Sequence, residues 1–251
     1  MLNCFLLGSM AVQRLQRDSA HTRLTQELTH LFASDGILLE PAAVPTASSP
    51  VVRTPIRSTD EDRLLAVFFL GEDLNTQDEG GGIYTCRSSR GEALFRSNGS
   101  FEVRLLDDQQ EAAPLIQKFC LEFHYQDLQW DLSHNSGTVS ALQYVDDCPV
   151  TDASVIFRVA DGRLRSLSGI HLPQASTVSD EKPLTAVTAL TIFLQERRRS
   201  GVVISSVSEV YPCYRLQTTT ASPMTLSPAW CIITNTGKCY VNASTGAVTL
   251  P

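Results

Sequence analysis

Apolar positions along the chain follow two rhythms, a helical one and an alternating one, and they change places several times. In residues 12–32 Val12, Leu15, Leu24, Leu28, Leu31 and Phe32 recur mostly at spacings of three and four, with Arg14, Arg17, Asp18, Arg23 and Glu27 between them. That pattern predicts an amphipathic helix, ended by Asp35-Gly36. Prolines at 41, 45, 50 and 55 make residues 41–59 an extended connector. The continuous apolar run LLAVFFL at 64–70 predicts a short, well-covered strand. Segments 83–87, 92–96 and 101–105 then follow at hairpin spacing, with Arg90-Gly91 and Asn98-Gly99 as the turns. A second helix is predicted over 109–125, where Leu115, Phe119 and Phe123 recur at fours and Pro114 falls in the opening turns.

The same grammar returns downstream. Strands are predicted at 139–145, 154–159 and 164–170, with Asp161-Gly162 turning the last pair. A third helix is predicted over 183–199. Pro183 suits its first position, Leu184, Val187, Leu190 and Leu194 line its inner face, and Arg197, Arg198 and Arg199 suit its negative end. Strands at 202–216, 229–234, 238–242 and 247–250 close the chain. The stretches beginning at Ile83, Val155 and Ala229 echo one another as aromatic strand, Gly turn, strand. Segregated helices and antiparallel strands argue for an α+β fold of repeated helix-plus-meander units. The expected regions are an apolar segment and helix at 1–34, a linker at 35–62, a first α+β region at 63–180 and a C-terminal helix plus meander at 181–251.

Composition narrows the function classes. Twenty Lys+Arg stand against 27 Asp+Glu, a formal net charge of −7, and no stretch gathers enough basic residues to neutralise several phosphates. Nucleic-acid binding is therefore not expected. The seven cysteines (4, 86, 120, 148, 213, 231 and 239) form no Cys-x-x-Cys pair and read as isolated thiols. A hairpin turning at Asn235-Thr236-Gly237 would set Cys239 opposite Ile233, not Cys231, which argues against a disulfide between these two. Residues 2–12 (LNCFLLGSMAV) carry no charge, but the run falls short of the roughly 20 residues needed to span a bilayer.

Motifs that carry chemistry are scarce. The run Gly80-Gly81-Gly82 precedes a strand and opens no helix, so it reads as a turn rather than a phosphate cradle. His-Glu-x-x-His and Gly-x-Ser-x-Gly are missing from the sequence. Cys120 and His124, four apart on a helix, make only two ligands of a metal site. His21 and His30 read as surface residues of the first helix. The doublets Asp107-Asp108 and Asp146-Asp147 read as turns or caps, because neighbouring carboxylates on a strand face opposite ways. Asn98 and Asn242 each open an Asn-x-Ser sequon but stand where Asn favours turns. No cofactor, metal or catalytic residue is expected.

The C-terminal block holds the most specific pattern. It reads Leu226-Ser227-Pro228-Ala229-Trp230, a turn at Asn235-Thr236-Gly237, then Tyr240-Val241-Asn242-Ala243-Ser244-Thr245-Gly246. Trp230 and Tyr240 are expected to cover one face of a three-stranded meander. With Pro228, Trp230, Gly237, Tyr240, Asn242 and Gly246, this block resembles the C-terminal end of YycH/YycI-type regulators. The helix and strand before it, and the Gly36-Ile37-Leu38-Leu39 segment ahead of the prolines, resemble that family's layout too. The resemblance implies a non-enzymatic protein outside the bacterial membrane, held by one N-terminal anchor of which residues 2–12 are the remains. It also implies partners, namely a sensor histidine kinase and a sister regulator, with the first helix and its Arg14, Arg17 and Arg23 near them. A similar Asn-Ala-x-Thr-Gly ending occurs in PepSY domains, which implies the alternative of a module binding a peptidase or envelope component. A hydrolase with an unrecognised site is the remaining alternative.

Overall fold

In a computed structural model the described residues are 22–46, 49–55, 59–106, 111–173, 176–217 and 224–251. The fold is α+β, with antiparallel pairing dominating the strands, as the sequence predicts. The chain divides into two compact units. The first comprises Met1–Pro50, Glu181–Cys213 and Pro228–Pro251; the second comprises Val51–Asp180 and Tyr214–Ser227.

Within the first unit, helix α1 covers 22–34 of the described residues and strand β1 covers Leu38–Leu39. The expected connector is more structured than an extended linker. It holds a 3-10 turn at Pro41–Ala43 and, in the second unit, strand β2 (Arg53–Pro55). Helix α4 (Ala186–Ser200) is capped by Thr185, whose side chain accepts a hydrogen bond from the Thr188 amide. Pro183 therefore lies before the helix, not at its first position. The hydroxyl of Thr185 satisfies an orphan amide that Pro183 could not reach. β12 (Ser206–Gln217), up to Cys213, and β13 (Thr225–Thr234), from Pro228, begin the final meander of this unit, and β14 (Gly237–Asn242) and β15 (Val248–Thr249) complete it. β1 lies parallel to β12, and β13 pairs antiparallel with β14, as β14 does with β15. Phe32, Leu190, Phe193, Trp230, Ile232 and Val241 form the heart of this unit's core, with the Phe32 and Phe193 rings stacked at 6.2 Å.

The second unit contains a duplicated plan. Helix α2 (Thr59–Leu70) precedes β3 (Asn75–Gly80), β4 (Ile83–Ser88), β5 (Gly91–Arg96) and β6 (Ser100–Leu105). Helix α3 (Ala112–Glu122) precedes β7 (Tyr125–Ser133), β8 (Ser136–Val145), β9 (Cys148–Ala160) and β10 (Arg163–Ile170). Neighbouring strands pair antiparallel, and β6 pairs with β10, giving the order β3-β4-β5-β6-β10-β9-β8-β7 among the described residues. The order reads the same from either end. Registers match as well: Tyr84–Phe95–Phe101 run across the first repeat as Val139–Phe157–Leu167 run across the second. The repeats meet where Glu102 faces Ser168, the residues holding equivalent places in each. Both helices cover the same side of this sheet, burying Leu65, Phe69, Ile116 and Phe119 against Phe95, Phe101, Val139 and Phe157. β11 (Ser176–Val178) pairs with β2, and Arg53 of β2 faces Leu226.

The run at 64–70 is helical, which corrects the predicted strand. Asp60, Glu61 and Asp62 occupy the first turn, where the helix dipole favours acids. Leu65, Ala66, Phe69 and Leu70 are buried while Leu64 is 59 % exposed, so the run has one apolar stripe rather than two covered faces. The second helix stops at Glu122 instead of 125, because Phe123 and His124 leave helical geometry and Tyr125 opens β7. β3 and β7 were not predicted: NTQDEG is polar throughout, and YQDLQWDLS alternates too little to read as a strand.

Candidate functional site

A groove in the second unit lies beside β3, which ends its sheet among the described residues. The β3 and β4 strands form its floor, with Thr76 and Asp78 on β3 and Tyr84 and Cys86 on β4 directly across from them. Asp60 and Arg63, from the opening turns of α2, form one wall. Gly80-Gly81-Gly82, with Ser97 behind it, closes one end, and the groove holds about 600 Å³. All three glycines take positive φ (80, 64 and 76°), a geometry that any side chain would strain. The glycine run thus matters to the site, though the sequence pattern marks it only as a turn.

Polar contacts fix the rim. Thr76 Oγ1 lies 3.5 Å from Cys86 Sγ, the Gly80 amide donates to Asp78 Oδ1 at 2.8 Å, and Thr85 Oγ1 donates to Glu79 Oε1 at 3.1 Å. At the helix start, burial and the neighbouring Asp62 carboxylate raise the pKa of Glu61 above its ordinary value. Among the described residues β3 pairs only with β4, and all its residues are exposed. Nothing among the described residues pairs with its outer backbone groups, which lie next to a groove lined by Tyr84 and Cys86 together with charged side chains. Such an edge can accept another extended chain. Among the described residues the lining contains three hydroxyls, of Thr76, Tyr84 and Ser97, and the Cys86 thiol.

The C-terminal motif residues are held in the first unit, where they define turns and core. Trp230 is fully buried and its Nε1 donates to the Leu184 carbonyl at 2.8 Å. The Pro228 carbonyl accepts from the Ala243 amide, and Asn242 Oδ1 accepts from the Ser244 and Thr245 amides at 2.9 Å each. The Gly246 amide donates to the Asn242 carbonyl, while the Gly237 carbonyl accepts from Thr234 Oγ1. Trp230 faces Val241 and Cys231 faces Tyr240. Because strand side chains alternate, Trp230 and Tyr240 lie on opposite faces, which corrects the expectation of a shared one. Cys239 faces Ile232, one place from the expected Ile233.

Other candidates separate. Cys120 is buried, and His124 takes a left-handed backbone beyond the helix end, so their four-residue helical spacing is broken. Among the described residues no group of three or more His, Cys, Asp or Glu side chains is arranged to hold a metal ion. Asp146 and Asp147 both take positive φ in the β8–β9 turn, and Asp146 pairs with Arg53. Cys86, Cys120, Cys148, Cys213, Cys231 and Cys239 form no disulfide among the described residues. Burial pushes Cys120 up to about 12 and Cys239 up to about 11. Both therefore stay protonated, and poor nucleophiles, at neutral pH. Arg23 pairs with Glu27 at 3.1 Å. Residues 2–12, Arg14, Arg17, His21, Asp107 and Asp108 lie outside the described residues, among which no helix is long and apolar enough to cross a membrane.

No protein-family model matches the chain, and no curated protein matches it either. An uncharacterized protein from Eubacterium rectale ATCC 33656 is similar in structure at a TM-score of 0.49 and 10 % identity. That likeness covers 82 % of this chain and 86 % of the other. The Bacillus megaterium YpeB C-terminal domain has a TM-score of 0.37 at 10 % identity, over 78 % of this chain and 98 % of its own. Likenesses this slight carry no argument about function. The family likeness of the C-terminal block therefore rests on the motif residues alone.

Proposed function

We propose that this chain is a non-catalytic binding protein, and that its second unit holds an extended segment of a partner protein against the open edge of β3. The observation that carries this reading is the groove of about 600 Å³ beside an exposed strand that, among the described residues, pairs with β4 alone. A strand of six residues offers about 20 Å of backbone hydrogen-bonding groups, which supply affinity whatever the partner's sequence. Specificity comes from the lining. Asp60 and Asp78 favour a basic side chain at the mouth, and Tyr84 and Cys86 favour an apolar one on the floor.

The partner's identity rests on the C-terminal resemblance. It implies a regulator outside the bacterial membrane, tethered by its N-terminus, that restrains a sensor histidine kinase in concert with a sister protein. The PepSY-like ending keeps a peptidase or envelope component as the second partner class.

Selection of a random-peptide display library on the whole chain tests the binding reading. Extended basic-apolar peptides should bind at micromolar Kd. Thr76→Trp, on an exposed strand position, should fill the groove and weaken them at least tenfold without lowering the melting midpoint. Peptides that bind the variant equally well, or no saturable binding at all, would overturn the reading.

A further inference from the structure

We infer that the open face of the second unit's sheet, the side away from α2 and α3, carries a binding site for a phosphoryl oxyanion. Strand register builds it. Arg104 on β6 faces Ser166 on β10, and Ser166 faces Arg158 on β9, so two guanidinium groups flank one hydroxyl in a single row. Leu167 is buried toward the helices, which turns Ser166 and Ser168 outward. Arg104, Arg158, Ser166 and Ser168 all line one depression of about 250 Å³. The two arginines sit two strand spacings apart, about 10 Å between backbones, close enough for their arms to converge on one anion.

Neighbouring charges on this face are already matched. Arg87 meets Glu92 at 2.7 Å and Arg96 meets Glu102 at 3.1 Å. Arg104 comes no nearer to Glu102 than 4.0 Å. The side chains of Arg158, Ser166 and Ser168 make no hydrogen bond or ion pair among the described residues. A chain with a net charge of −7 thus keeps two undercompensated guanidinium groups over two unused hydroxyls. Forked donors of this kind match the oxygens of a phosphoryl group, with the serine hydroxyls as further donors. The arginines are 54 positions apart in sequence, so no basic run reveals them. The depression lies on the opposite side of the sheet from the peptide groove, and neither proposal depends on the other.

The test follows the side-chain Nε–Hε signals of Arg104 and Arg158, and the backbone amide of Ser166 (which every variant retains), in the full chain by NMR at low ionic strength. Inorganic phosphate should shift both signals saturably, with a midpoint on the order of 1 mM, and acetate at equal ionic strength should not. Arg158→Gln should weaken phosphate at least tenfold and the Arg104→Gln/Arg158→Gln pair should abolish it. Both positions are exposed, so an unchanged melting midpoint certifies the fold. A second arm asks where the phosphoryl group comes from. Cosedimentation with 3:1 phosphatidylcholine:phosphatidic acid vesicles, lost in the double variant, assigns a lipid headgroup. Phosphate binding without cosedimentation assigns a soluble phosphoryl compound. Equal shifts from acetate, or phosphate binding that survives the double variant, would overturn the site.

Discussion

At the scale of single residues, Asp35 carries a measurable electrostatic role. It follows the last turn of α1 and receives two hydrogen bonds from Arg198, from Nε at 2.6 Å and from Nη2 at 2.7 Å, with Arg197 at 3.9 Å. These guanidinium groups, the Arg198 hydrogen bonds foremost, hold its carboxyl below the ordinary value of 3.8. A depressed acid stabilises the folded state fully above its unfolded value, and that stabilisation disappears as pH falls through the folded value. Asp35→Asn should therefore lower the melting midpoint at pH 7, and the gap to the parent should close on acidification well below 3.8. A gap that is the same at both ends of a pH series of thermal melts would refute the assignment. The sequence assigned Arg197, Arg198 and Arg199 to the helix dipole and left their acid unnamed. Pairs 163 positions apart are set by packing, and no local pattern announces them.

At the scale of elements, legibility tracked amphipathicity and turn chemistry. The hairpins at Asn98-Gly99 and Asp161-Gly162 stand as predicted, because Gly99, Asp161 and Gly162 take positive φ that few other residues supply. The turn expected at Arg90-Gly91 lies one place earlier, at Ser89-Arg90, with Gly91 already paired to Ser88. The segment 64–70 went the other way: seven apolar residues fit a strand or a helix equally, and the acidic turn before them was the deciding signal. β3 was invisible because an exposed edge strand buries no alternating face, and half of the candidate groove stayed hidden with it. Gly91 offers an element-level test. A Cβ there would stand 2.1 Å from the Arg104 carbonyl oxygen, so Gly91→Ala must push the start of β5 away from the end of β6. The expected loss is about 1–3 kcal/mol by urea unfolding. An unchanged midpoint would mean that the strands do not approach so closely.

At the scale of the whole molecule, the α+β class and the repeating helix-plus-meander plan were readable, but the division of the chain was less so. The first unit takes three separate stretches of sequence and the second takes two, so composition shifts along the chain cannot mark their limits. Repetition was visible as echoed turns, but not its consequence, the seam at which one repeat's last strand meets the other's. That seam sets Glu102 against Ser168. Two identical halves joined in the same register would bring carboxylate against carboxylate, and like charges directly opposite cost about 0.2–1 kcal/mol. Ser168→Glu should reproduce that cost in urea melts of the intact chain, and adding Glu102→Ser should recover most of it. The first half of this sheet thus carries a carboxylate that would repel its own duplicate at the seam, whereas the second half offers it a neutral hydroxyl, so joining two copies through their first halves is penalised.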